Sequence, residues 1–198
     1  MSCVMGIREE RRARMLREIQ DAALGLVEER GLDATTVGDI ADRVGISERT
    51  VFRYYASKEH VLMPAQQSMI DTLVGSESAH SSSSGILGDL LGVCRDLFAQ
   101  EVEQSDFRRI SRLMVQDPAM TRVVVRQERK LVDALSVALV GRGQLEPIQA
   151  LLVAEMVVAA WRVAWQSFAR AEFEGLDSDP VEIFETTVRE LGQLFRAD

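Results

Sequence analysis

The chain has 198 residues, 46% hydrophobic and 27% charged, with a formal net charge of −8, which suits one globular domain or a small domain attached to a larger one. The longest uncharged apolar run of its greasiest segment, Met156 to Trp161, falls far short of the 20 or so residues of a membrane span. The start "MSCVMGIREERRARM" lacks the apolar run of a secretory signal, so a cytoplasmic protein without a membrane partner is expected. Cys3 and Cys94 form no CxxC pair or metal-like cluster, and reduced thiols are the expectation. Residues 1–58 carry ten basic and ten acidic side chains, whereas residues 59–198 carry thirteen against twenty-one. All the excess acid lies in the second part, so only the first can approach nucleic acid without general repulsion.

Taken in chain order, the signals are helical and strand signals are almost absent. Ile19, Ala22, Ala23, Leu26 and Val27 recur at helical spacing from about Arg8 to Arg30, and Gly31 follows where a C-cap glycine belongs. Thr36 with Asp39 three residues on reads as the cap of a second helix, with Val37, Ile40, Ala41 and Val44 as its apolar face and Gly45 as its stop. Ser47 caps a third helix through "ERTVFRY", and Ser57 a fourth beginning "KEHVLM".

The second and third helices carry the specific spacing. Ala41 offers a small residue at a crossing, Gly45 accepts positive φ in the turn, and Val51 is a branched residue able to insert beneath the preceding helix, with Ile40, Val44 and Ile46 apolar between them. That is the pattern of a helix-turn-helix, and the third helix is then its recognition helix. On it, Ser47, Glu48, Arg49, Phe52 and Arg53 project away from Val51 toward a major groove, where arginine reads guanine through O6 and N7. Arg49 and Arg53 share a face; the alternative for either is a phosphate grip or a pair with Glu48.

The stretch "REIQDAALGLVEERGLDATTVGDIADRVGISERTVFRYYASKEHVL" resembles the N-terminal domain of the TetR family of bacterial transcription regulators, over about residues 11 to 62. The resemblance implies an all-α homodimer: a three-helix DNA-binding head, 8–58, on a larger helical domain, 59–198, that binds a small effector and dimerises. It further implies phosphate contacts at Thr36, Thr50, Tyr54 and Lys58, and a core role for Tyr55. Gly38 departs from the family's usual polar or arginine residue early in the second helix, which puts more of the readout on Arg49 and Arg53. Arg8, Arg11, Arg12 and Arg14 precede the first packed turn, as minor-groove or phosphate contacts or as a solvated, frayed end.

Beyond Leu62, Pro64 falls inside the fourth helix and is expected to kink it. "GSESAHSSSSG", Gly75 to Gly85, reads as a flexible loop. Helices are expected near Ile86 to Val102, Phe107 to Val115, Asp117 to Val140, Pro147 to about 172, and Pro180 to Phe195. Between Ala150 and Trp165 only Glu155 and Arg162 are charged, which places this helix at the centre of its domain. Glu155 and Arg162 lie on nearly one face, to pair with each other, across a dimer, or with a ligand. Phe107, Met114, Met120, Met156, Trp161, Trp165 and Phe168 are the candidate lining of a pocket for a mostly apolar effector; plain core packing is the alternative. The resemblance implies a dimer interface on the last two helices.

Competing classes find less support. His60 and His80 have no cysteine or carboxylate at ligand spacing, and GxSxG, P-loop and GxGxxG motifs are absent. No enzyme, cofactor or metal is therefore expected. An adaptor that keeps the fold but binds protein remains compatible with a head of zero net charge. The reading is a ligand-responsive regulator, most simply a repressor, on a palindromic duplex operator.

Overall fold

Glycine and hydroxyl signals punctuate the first part of the chain in the computed structural model, which describes residues 6–63, 65–78, 80–104 and 106–194. Helix α1 (Ile7–Arg30) stops where Gly31 takes φ 82° and donates its N–H to Val27 O, a conformation that disfavours a Cβ. Helix α2 (Val37–Val44) opens on a reciprocal capping box between Thr36 and Asp39 and ends at Gly45 in the left-handed region. Helices α3 (Glu48–Tyr54) and α4 (Lys58–Leu62) begin where the hydroxyls of Ser47 and Ser57 accept from the N–H groups of Thr50 and His60. Their apolar faces meet in one core that includes Ile19, Leu24, Ile40, Val51, Tyr55 and Val61, all nearly inaccessible. Arg8, Arg11, Arg12 and Arg14 belong to α1 rather than to a frayed end.

The chain divides into two compact units, Met1–Pro64 and Ala65–Asp198. Helix α4 falls in the first, beyond the boundary expected at residue 58. Val61 and Leu62 are buried there, and the Lys58 ammonium donates to the carbonyls of Leu32 and Thr35. Pro64 itself lies outside the described residues, as does Cys3. The single kinked helix expected around Pro64 is replaced by α4 and a separate helix α5 (Ala65–Gly75). A proline disfavours the α region for the residue before it, and Met63 has left that region, at φ −132° and ψ 65°.

The second unit is built around one helix. It comprises α5, α6 (Ser83–Val102), α7 (Phe107–Gln116), α8 (Pro118–Gly141), α9 (Pro147–Phe173) and α10 (Pro180–Leu194). Helix α9 packs against α6, α7, α8 and α10, as expected of its composition, and Ala154, Val157, Ala164 and Phe168 are fully buried. It is long and apolar enough to cross a membrane by length and composition, and the neighbouring helices cover part of that apolar surface. Its outer side remains open: Ile148, Leu152, Val163 and Phe173 are exposed. The serine-rich connection is shorter than expected, because Ser82 caps α6 by accepting from Gly85 N–H. The hydroxyl of Ser78 and the ring of His80 both reach the Asp89 carboxylate, so a carboxylate meets His80 that local spacing did not reveal. Among the described residues there is no strand.

Candidate nucleic-acid interface

Val51 decides which way α3 faces. Only 1% of it is exposed, so the opposite side of this short helix is turned to solvent. Arg49, Phe52 and Arg53 turn toward that side, with Phe52 52% exposed, while Glu48 is exposed at the start of the helix. An aromatic ring left half in water on the helix that carries Arg49 and Arg53 covers little core of its own. It is an apolar surface suited to a thymine methyl, flanked by groups suited to guanine or phosphate. The Arg53 guanidinium lies 5.2 Å from the Tyr54 ring centroid, and Arg12 of α1 lies 5.7 Å from it. Tyr54 is therefore half-buried between cations at the margin of this face.

Other arginines of the head are committed to holding it together. Arg43 makes a two-pronged contact with Glu29, at 2.8 and 2.7 Å, fixing the end of α2 to α1. The bond from Arg43 holds the Glu29 carboxyl below its ordinary range. Arg30 lies 2.7 Å from Asp39. Asp39 also accepts from the hydroxyl and N–H of Thr36, and these bonds, ahead of Arg30, bring its pKa down to about 2. The Thr36 hydroxyl is thus both donor and acceptor inside the capping box, and Ser47 and Thr50 share a hydroxyl contact at 2.9 Å.

Two side chains take places that local sequence did not foretell. Lys58 donates at 2.8 Å to Leu32 O and 2.9 Å to Thr35 O, which leaves one of its three N–H donors for a phosphate. Glu48 is turned toward the start of α2: a Cβ built on Gly38 would lie 3.1 Å from Glu48 Oε1 and 3.6 Å from Thr36 Oγ1. Neither contact has a local signal, since one spans the head and the other crosses the turn. Tyr55 is a core residue, with its hydroxyl donating to Leu16 O and its pKa pushed up to about 12 by burial. His60 accepts from Ala56 N–H and meets the Tyr55 ring edge-on.

In the second unit, the expected pocket residues divide by burial and neighbours. Phe107, Trp165 and Phe168 converge, with Phe107 4.4 Å from Trp165 and 5.0 Å from Phe168 between ring centroids. Phe98 joins them to Trp161 and Phe184. Met120 is buried, whereas Met114, Met156 and Trp161 are partly buried. The rings occupy one another's surroundings in edge-to-face and tilted contacts, and neither Phe98 nor Phe184 was named from the sequence. Arg162 pairs with Glu128 of α8 at 2.9 Å, not with Glu155, which is exposed. Seven residues along one helix leave Glu155 two turns away, while α8 brings Glu128 alongside. Burial raises the pKa of Glu128 against the lowering effect of Arg162, and burial pushes that of Glu101 up to about 7. Among the described residues no group of three or more His, Cys, Asp or Glu is placed to hold a metal ion.

Comparisons with known proteins match the head to one family profile and most of the chain to solved folds. Residues 19–63 match the profile of "Bacterial regulatory proteins, tetR family". The HTH-type transcriptional repressor KstR2 of Rhodococcus jostii is 36% identical over 86 residues, covering 43% of this chain and 34% of that protein. The uncharacterized HTH-type transcriptional regulator YvkB of Bacillus subtilis is 30% identical over 115 residues, 55% of each chain. The chain thus spans about a third and about half of these two relatives. Among solved structures, SmeT in complex with triclosan aligns at a TM-score of 0.55 with 20% identity, over 88% of this chain and 90% of that one. FadR of Bacillus subtilis in complex with stearoyl-CoA aligns at 0.50 with 16% identity, over 87% and 95%. Likeness at these identities is one of fold.

Proposed function

We propose that the chain is a ligand-responsive transcriptional regulator of the TetR family, whose profile its residues 19–63 match. In this reading it is a repressor that grips a palindromic operator as a homodimer and lets go when a small, mostly apolar effector binds. The observation that carries the DNA-binding part is the α2–α3 pair, in which a buried Val51 turns Arg49, Phe52 and Arg53 outward together. Arg49 and Arg53 read bases, with Ser47, Glu48 and Phe52 beside them, while Thr36, Thr50, Tyr54 and Lys58 position the head on phosphates.

The homodimer is supported by the open apolar side of α9. Ile148, Leu152, Val163 and Phe173 recur along one side of a helix whose other sides are covered, and a second copy would cover them symmetrically. The apolar effector is supported by the ring cluster of Phe98, Phe107, Trp161, Trp165 and Phe168, where displaced side chains would leave an aromatic lining. To regulate, the effector must prefer the form whose two heads cannot occupy successive major grooves. A coupling of about 1–3 kcal/mol changes operator affinity roughly 5- to 150-fold, and DNA weakens effector binding equally.

The test is a protection footprint on duplexes selected from genomic fragments. A two-fold symmetric footprint, with half-sites about one helical turn apart, is expected; an asymmetric one removes the homodimeric reading. Repeated with candidate effectors, the footprint should vanish as tryptophan fluorescence changes, and Trp161→Ala should blunt that response without weakening unliganded binding. An effector that acts equally on that variant would place its site elsewhere.

A further inference from the structure

Gly38 occupies the second position of α2, after the Thr36 cap, and its backbone is ordinary helix, without positive φ. Conformational freedom therefore does not explain a glycine there, and in a helix it costs stability relative to alanine. What a side chain there would meet is Glu48. A Cβ at this position would lie 3.1 Å from Glu48 Oε1 and 3.8 Å from Glu48 Cδ, so the carboxylate at the start of α3 lies where a side chain at residue 38 would project. There it is close to the first turn of α2, whose N–H groups favour a negative charge.

We propose that Gly38 and Glu48 together form a base-selecting element, in which the missing side chain on α2 parks the Glu48 carboxylate at the α2–α3 corner as an acceptor for a cytosine amine. The element rests on the reading of α3 as a base-reading helix and adds to it the base chosen at that corner. A carboxylate has only acceptors to offer: it takes a hydrogen bond from cytosine N4, and it is repelled by phosphates and by the acceptor-only O6 and N7 of guanine. Arginine and carboxylate on one short helix thus select opposite bases, so the half-site has a cytosine reached by Glu48 next to a guanine reached by Arg49 or Arg53. Gly38 acts through Glu48 and touches no base: it is a positioning residue.

The test is selection of bound duplexes from a random-sequence pool by the full-length protein and by Gly38→Ala, Glu48→Ala and the double variant. An alanine at 38 presses on the far end of a flexible side chain, so the backbone stays and the Glu48 carboxylate gives way. The native protein should enrich cytosine at one position of each half-site by about 5- to 150-fold, the discrimination ordinarily supplied by one base pair. Glu48→Ala should lose that preference and Gly38→Ala should weaken it, both keeping the guanine, and Gly38→Ala should add nothing once Glu48 is gone. A Gly38→Ala variant that selects the same bases as the native protein overturns the element while leaving α3 as the reader. A native protein that enriches no sequence overturns both.

Discussion

Arg49 and Arg53 lie one turn apart on the exposed side of α3, while Lys58 has two of its three donors on backbone carbonyls of the α1–α2 connection. These placements predict different consequences. Arg49→Ala or Arg53→Ala should cost about 1–3 kcal/mol of operator affinity and relax the preference at one base pair per half-site. Lys58→Ala should weaken all duplexes about equally, and should also lower the unfolding free energy of the protein by about 1–3 kcal/mol, because two buried-side carbonyls lose a charged donor. Competition binding against single-base operator variants, with thermal melting alongside, checks both. An arginine variant with unchanged base preference, or a Lys58→Ala protein that melts like the native one, would contradict the respective role. Local spacing was enough to put Arg49 and Arg53 on one face. It was silent on Lys58, whose acceptors lie 26 and 23 residues away, and on the side to which Glu48 turns.

Helices declare themselves through local chemistry, and their partners do not. The hydroxyl caps Thr36, Ser47 and Ser57 and the stops Gly31 and Gly45 are all short-range, so α1 to α3 and the start of α4 were legible in the sequence nearly to the residue. The start of α6 was not, because serines serve as loop residues and as caps alike. Glu155 illustrates the same limit: heptad spacing suggested Arg162 as its partner, and the packing of α8 on α9 supplied Glu128 instead. The outer side of α9 gives an element-scale prediction. Leu152→Glu places a charge within the exposed apolar stripe and away from the core, so helicity should persist while sedimentation shows monomers. A dimer that survives this change would move the interface off α9.

For the whole molecule, the net charge of −8 lies entirely beyond residue 58, and a neutral head must approach a polyanion through the local arrangement of a few cations. Counterion release then makes ionic strength the most direct probe, because affinity falls with about 0.9 of a logarithmic unit per phosphate neutralised for each tenfold rise in salt. The decisive measurement is the affinity of the full-length protein for its selected operator, titrated between about 50 and 200 mM salt. With about four phosphates neutralised per dimer, two by each head, it should fall by roughly a hundredfold. A change of less than about twofold over that range would contradict DNA binding by this head and favour a protein partner for the same exposed face.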